Sequence, residues 1–268
     1  MEFLKSVRRR RSLLSEVIYM GLNVALAVGV ALIIFYTGSI WMAITLVVLS
    51  KWRVFAVRPR YWWVNLQSNL VDFIVSISVA VHLMIVNEAA LGGSYKLLLM
   101  ALLTLLYIAW LLYLKPRSAR HMVSIQAGAA ILFGSSALFA VSYAWPVSVV
   151  VLFMWLIGYV AARHTLTAFD DETHAFFLSL AWGLVFAEFG WVAYHWTVAY
   201  SIPVFTSVQM PQISIIMTLI GFVSYKVYDS FYRNDGKVRS NDVVLPLLLT
   251  LSIIGLLLLL FNRVGTAI

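Results

Sequence analysis

Uncharged, apolar runs about as long as a bilayer is thick recur from one end of this 268-residue chain to the other. A helix needs roughly 20 mostly apolar residues to cross a hydrocarbon core about 30 Å thick. A water-soluble domain has nowhere to hide so many of them. Composition supports this: 63% of the residues are hydrophobic and 11% charged, against roughly 45–50% and about 25% in a soluble domain. The polar residues are too few to cover a water-facing surface, so lipid must cover part of it. A cytosolic enzyme, a secreted domain and a disordered chain are excluded. The expected fold is all-α, a polytopic bundle of transmembrane helices.

Dividing the runs at Gly, Pro and Ser/Thr turns predicts nine spans, at 15–36, 40–57, 64–86, 95–114, 121–142, 146–163, 173–198, 210–232 and 243–262. The second follows a very short turn at Thr37-Gly38-Ser39 and has Lys51 and Arg53 near its end, where long stems let both charges snorkel to the headgroups. A re-entrant hairpin made by the first two runs is the alternative. With the N-terminus inside, all of the 19 Lys and Arg except Lys96 and Arg263 fall on inner segments. Positive-inside bias thus predicts a cytoplasmic N-terminus and an outer C-terminus. Topology accounts for the basic excess, so no nucleic-acid partner is expected. The N-terminal segment 1–14 reads as a basic cytoplasmic lead into a retained anchor, since its apolar run exceeds a signal-peptide core and no clear cleavage site follows.

Trp and Tyr near the span ends, among them Trp41, Trp52, Trp62, Trp63, Tyr143, Trp145 and Trp196, form an interfacial belt. The connections are all too short to fold as separate domains, which need about 50 residues, so one integral membrane domain is expected over 1–268. A weak parallel repeat relates Arg58-Pro59-Arg60 followed by Gln67 to Lys115-Pro116-Arg117 followed by Gln126. Basic clusters and prolines are common at inner helix ends, which offers a plainer account. Small residues at Gly21, Ala25 and Gly29, and at Ser124, Gly128, Gly134, Ser135 and Ser136, mark helix-contact faces. The last span has no polar feature and reads as lipid-facing.

Glu188 is the sharpest chemical signal. It lies well inside the seventh span, where a carboxylate costs at least a few kcal/mol unless paired, protonated or wet. His174 and His195 share its helical face within about a 60° arc, which suits a proton- or cation-handling stripe. Pairing with His82, Lys96 or Arg263 is the structural alternative. The third span carries Asn65, Asn69, Asp72 and Ser76 on one face, with Gln67 nearby. That face suits the inner half of a polar pathway, or an ion pair to Arg53 or Arg58 that locks two spans together. The segment His164–His174 gathers three acids and two histidines. Asp170 and His174 have ligand spacing, but Thr167-x-x-Asp170 also matches a helix-capping box.

With zero cysteines and five scattered histidines, thiolate sites and histidine-box centres are excluded. There is no phosphate loop, metalloprotease motif or nucleophile elbow. Neither a cofactor nor a resident metal is expected. The stretch Lys51-Trp-Arg-Val-Phe-Ala-Val-Arg-Pro-Arg-Tyr-Trp-Trp63 with the polar stripe after it, residues 51–76, resembles a segment of uncharacterised polytopic membrane proteins of reduced-genome bacteria. The resemblance implies a bacterial cytoplasmic membrane and brings no activity.

Three functions fit. The leading one is a small transporter or channel with a polar seam between spans three and seven, lined by Glu188, His195, His174, Asp72, Asn69 and Asn65. The second is a non-catalytic subunit or assembly factor, associating with partner membrane subunits or with itself. The third is a membrane enzyme acting on lipid headgroups through the 164–174 segment. Beyond the lipid bilayer, the residues name no partner.

Overall fold

A computed structural model of the chain describes residues 13–54, 56–169, 172–196, 199–202 and 205–260. Residues 1–12 of the expected basic N-terminal segment, Asp170, Asp171, Arg263 and the Arg53 side chain lie outside them. The described chain is almost entirely helical: α1 Leu13–Thr37, α2 Ile40–Ser50, α3 Trp62–Glu88, α4 Gly93–Ala109, α5 Arg120–Val141, α6 Val147–Leu166, α7 Ala175–His195, α8 Gln212–Arg233 and α9 Ser240–Leu260. Seven of these, all but α2 and α8, are long and apolar enough to cross a membrane. The protein is therefore a multi-pass, helical integral membrane protein.

The nine-span expectation narrows at α2 and α8. α2 has 11 residues, about 16 Å of helix, roughly half the hydrocarbon thickness. After Ser50 the chain continues through short 3-10 turns at Trp52–Val54 and Pro59–Tyr61. α8 has the length, but Tyr225, Lys226, Tyr228, Asp229, Tyr232 and Arg233 make its second half polar. Residues 199–202 and 205–211, which overlap the connection expected at 199–209, instead form an antiparallel pair of strands, β1 Ala199–Ile202 and β2 Phe205–Pro211. Pairing strand to strand gives their backbone groups partners without a helix.

Two tight turns depend on positive φ. Gly38, at φ 63°, folds α2 back onto α1, and Ser39 caps α2 by accepting from the Met42 N–H. Gly236, at φ 84°, ends the α8 turn, and its N–H donates to Phe231 O at 3.0 Å. α8 and α9 are then pinned by the Ser230 hydroxyl, which donates to Asp242 at 2.8 Å.

The core has two lobes. Ala27, Val30, Ile34, Val47, Val75, Leu83, Tyr107 and Leu111 bury themselves among α1–α4, while Ile131, Met154, Phe186 and Met217 do so among α5–α8. α3 and α5 pack together between the lobes. Within the second, α6 and α7 are the closest-packed pair among the described residues. The cause is small residues: a Cβ on Gly158 would collide with Phe186, and one on Gly190 would lie 2.7 Å from Met154 Cβ. Lipid gives helices little hydrophobic reason to associate, so this backbone approach supplies the dispersion contact that holds them. The small-residue stripe on α1 is used only in part. Gly29 meets Leu46, but Gly21 has open space where a contact was expected. α9 exposes most of its leucines, including Leu245 and Leu259.

Gly190→Val is expected to destabilise the α6–α7 pair by about 1–3 kcal/mol through overpacking. Gly21→Ala should leave the melting temperature at or slightly above wild type. Thermal unfolding in one detergent checks both.

Candidate functional site

Asp72 lies on α3 with two helical turns between it and the start of the polar stripe, and it is 5% exposed. A carboxylate there needs several partners, and it has them. Lys51 and Lys115 both form ion pairs with its Oδ2, the second at 2.5 Å. Trp110 Nε1 donates to Oδ1 at 2.9 Å, and the Ser76 hydroxyl donates to the same oxygen at 3.4 Å. Lys51 also donates to Ser76 Oγ at 3.3 Å and lies 5.2 Å over the Phe73 ring.

The helices deliver these groups for identifiable reasons. Lys51 caps the C-terminus of α2, so the early stop of that helix places an ammonium inside the bundle. Trp110 begins a π-helical turn, Trp110–Leu114, that continues α4. It stands about 25 Å along α4 from the α3–α4 turn, level with Asp72 on the way back. Lys115 follows directly, with its side chain about one-third exposed. Lys51 therefore does not snorkel to headgroups as its stem would allow: it is 6% exposed. Nor do the expected arginines neutralise Asp72. Arg58 is exposed, and the two lysines take that role. The clue available in the sequence was Trp110, an indole one turn inside the end of the fourth span, whose N–H needs an acceptor once it is buried.

The other polar residues of α3 do not join this cluster. Asn69 donates to the Asn65 backbone carbonyl at 2.8 Å and to Ser68 Oγ at 3.2 Å, so its amide is tied to its own helix. Gln67 donates to the Tyr159 hydroxyl on α6 at 3.3 Å. His82 donates from Nδ1 to the Ser78 carbonyl at 2.6 Å and pairs through Nε2 with Ser136 on α5 at 3.0 Å. The equivalent glutamine of the weak repeat, Gln126, donates to Leu114 O and Arg117 O and accepts from His164 Nε2 at 2.7 Å.

Glu188, His174 and His195 share a face, as their spacing predicts, but that face is exposed. α7 packs against α6 and, more lightly, α8, while α3 packs against α1, α2, α4, α5 and α6. The structure thus does not bring Glu188 and Asp72 into one seam. The pairing alternative fares no better for two of its three partners. His82 is engaged as above, and Lys96 donates to the Asn87 carbonyl at 2.5 Å. Glu188 makes no hydrogen bond or ion pair with any described residue. His195 packs edge-on against Trp191 and Tyr194, at 4.8 and 5.5 Å between centroids.

In the 164–174 segment, Thr167 donates to His164 O and closes α6 instead of opening α7. Glu172 takes the N-terminal role, accepting from the His174 N–H at 2.6 Å, and also from the Tyr228 hydroxyl. Among the described residues no group of three or more metal-ligating side chains forms. Asp229 is held by Arg233 at 2.5 Å and Arg120 at 3.7 Å. Two cavities, of about 500 Å³ among α5–α8 and about 600 Å³ among α2, α3, α5 and α6, are lined mainly by hydrocarbon. No protein family, no curated protein and no solved structure matches the chain.

Removing the shared anion should be worse than removing either cation. Asp72→Asn leaves two ammonium groups facing a neutral amide and should cost about 3–5 kcal/mol. Lys115→Met leaves a one-to-one pair and, because Lys115 is partly solvated, should cost about 1 kcal/mol or less. The order of melting temperatures across Asp72→Asn, Lys51→Met and Lys115→Met tests the shared-carboxylate geometry.

Proposed function

We propose that the protein is a structural subunit of a larger membrane complex, resident in a bacterial cytoplasmic membrane, whose partner supplies the chemistry. The observation that carries this is that the candidate polar groups of the interior are engaged within the chain. Asp72, Gln67, His82, Gln126 and His164 are each satisfied by groups of the same chain. The cavities beside them offer hydrocarbon, and the remaining candidate carboxylate faces outward. A satisfied polar network rigidifies and specifies a bundle. It suits a scaffold better than a path along which a solute must repeatedly exchange partners. The same networks leave the 164–174 segment, the basis of the headgroup-enzyme reading, with Glu172 and His164 engaged in helix-end contacts.

One observation favours a carrier as the second reading. α2 stops inside the bundle beside the Lys51–Asp72–Lys115 cluster, and transporters build substrate sites at such interrupted helices. The two lysines against one carboxylate would then favour an anionic solute.

Native mass spectrometry of the protein extracted with its lipids from its own membrane separates the two. A second protein in fixed ratio is expected. A lone chain that, reconstituted into vesicles, passes chloride, nitrate or phosphate would overturn the subunit reading in favour of the carrier.

A further inference from the structure

α7 presents two opposite stripes. Ser179, Gly183, Phe186 and Gly190 are buried, and their glycines take Trp155 and Met154 of α6 at close range. About 150° around the helix lie Phe177, Ala181, Leu184, Glu188, Trp191 and His195, all exposed. Their spacing alternates four and three residues, the a and d positions of a helix-packing heptad. Leu184 and Trp191, 59% and 50% exposed, flank Glu188 one turn to either side.

Glu188 stands about 20 Å along α7 from Ala175 and about 10 Å from His195. Its side chain is too short to reach water from there, and lipid offers a carboxylate nothing. Within the described chain, the nearby cations it was expected to use are engaged elsewhere. A second copy docking through this same stripe does not solve the problem. A two-fold axis along the membrane normal would set Glu188 against Glu188 at one depth, like charge on like. His195 would lie about 10 Å too far along.

We propose that this stripe is the docking seam for a transmembrane helix of a different protein, which presents a Lys, Arg or His side chain level with Glu188. The proposal rests on the subunit reading and names the partner's chemistry. Aliphatic and aromatic knobs on either side exclude lipid. The ion pair, formed in a low dielectric, sets register and partner choice.

The absence of native cysteines makes single Leu184→Cys and Trp191→Cys variants unambiguous crosslinking probes in the native membrane. Leu249→Cys on α9 serves as an off-site control. The expected result is a crosslink from both α7 positions, not from α9, to an apolar segment of one other protein that carries a basic residue between the two crosslinked levels. Glu188→Lys should then lower recovery of that protein at least tenfold, and exchanging its basic residue for Glu should restore it. Glu188→Leu suits the lipid, so it should insert and fold normally yet still release the partner. A crosslink between two copies, a partner segment without a basic residue at that depth, or full recovery with Glu188→Leu overturns the proposal. A partner that crosslinks only from α9 overturns it while leaving the subunit reading intact. No partner from any position ends both.

Discussion

Asp72 ties three consecutive helices to one another, because a bilayer provides no water to satisfy a buried carboxylate. Lys51 reaches it from the end of α2, Lys115 and Trp110 from the end of α4, and Ser76 from its own helix α3. The donors from α2 and α4 are positioned by interruptions of regular helix: the stop at Ser50, and the π-helical turn at Trp110–Leu114. Irregular backbone at membrane depth survives only where protein satisfies its polar groups, and π-helical turns often mark places where a side chain must be re-aimed. The first lobe is thus organised around a charge, with its hydrocarbon packing laid about that fixed point.

The second lobe is held differently. α6 and α7 approach through glycines, and dispersion between close backbones replaces electrostatics. α3 and α5 mediate between the two modes. Their glutamines, Gln67 and Gln126, each meet a ring on α6, Tyr159 and His164 respectively. The weak repeat seen in the sequence therefore corresponds to two helices that address the same neighbour with the same residue type. Whatever its origin, the arrangement gives each glutamine a partner it needs in a dry interior.

Much of the fold was legible in the sequence. Runs of apolar residues predicted helices whose ends fall close to those observed, because length and hydropathy are local properties. The differences lie where tertiary contact decides. α2 reads as a span because residues 51–57 remain apolar enough to extend it, yet Lys51 leaves the helix to meet Asp72. α8 reads as a span by length, although its tyrosines and charges serve Glu172 and Asp229. The strand pair of β1 and β2 overlaps a stretch, 199–209, that reads as a connection, since two short strands leave little periodicity to detect.

The sequence by itself determined that the chain lives in a membrane, where its helices run, and that Glu188, His174 and His195 share one face. It also required that Asp72 be paired. Only the tertiary structure decided which cations pair it, and that the Glu188 face looks outward. The reason is physical. Periodicity fixes angles around one helix axis, but α7 is apolar nearly all round, so its hydropathy pattern does not tell which side meets α6. That choice was made by Gly183 and Gly190, where the absence of a Cβ lets α6 come close, and it left the carboxylate on the opposite side.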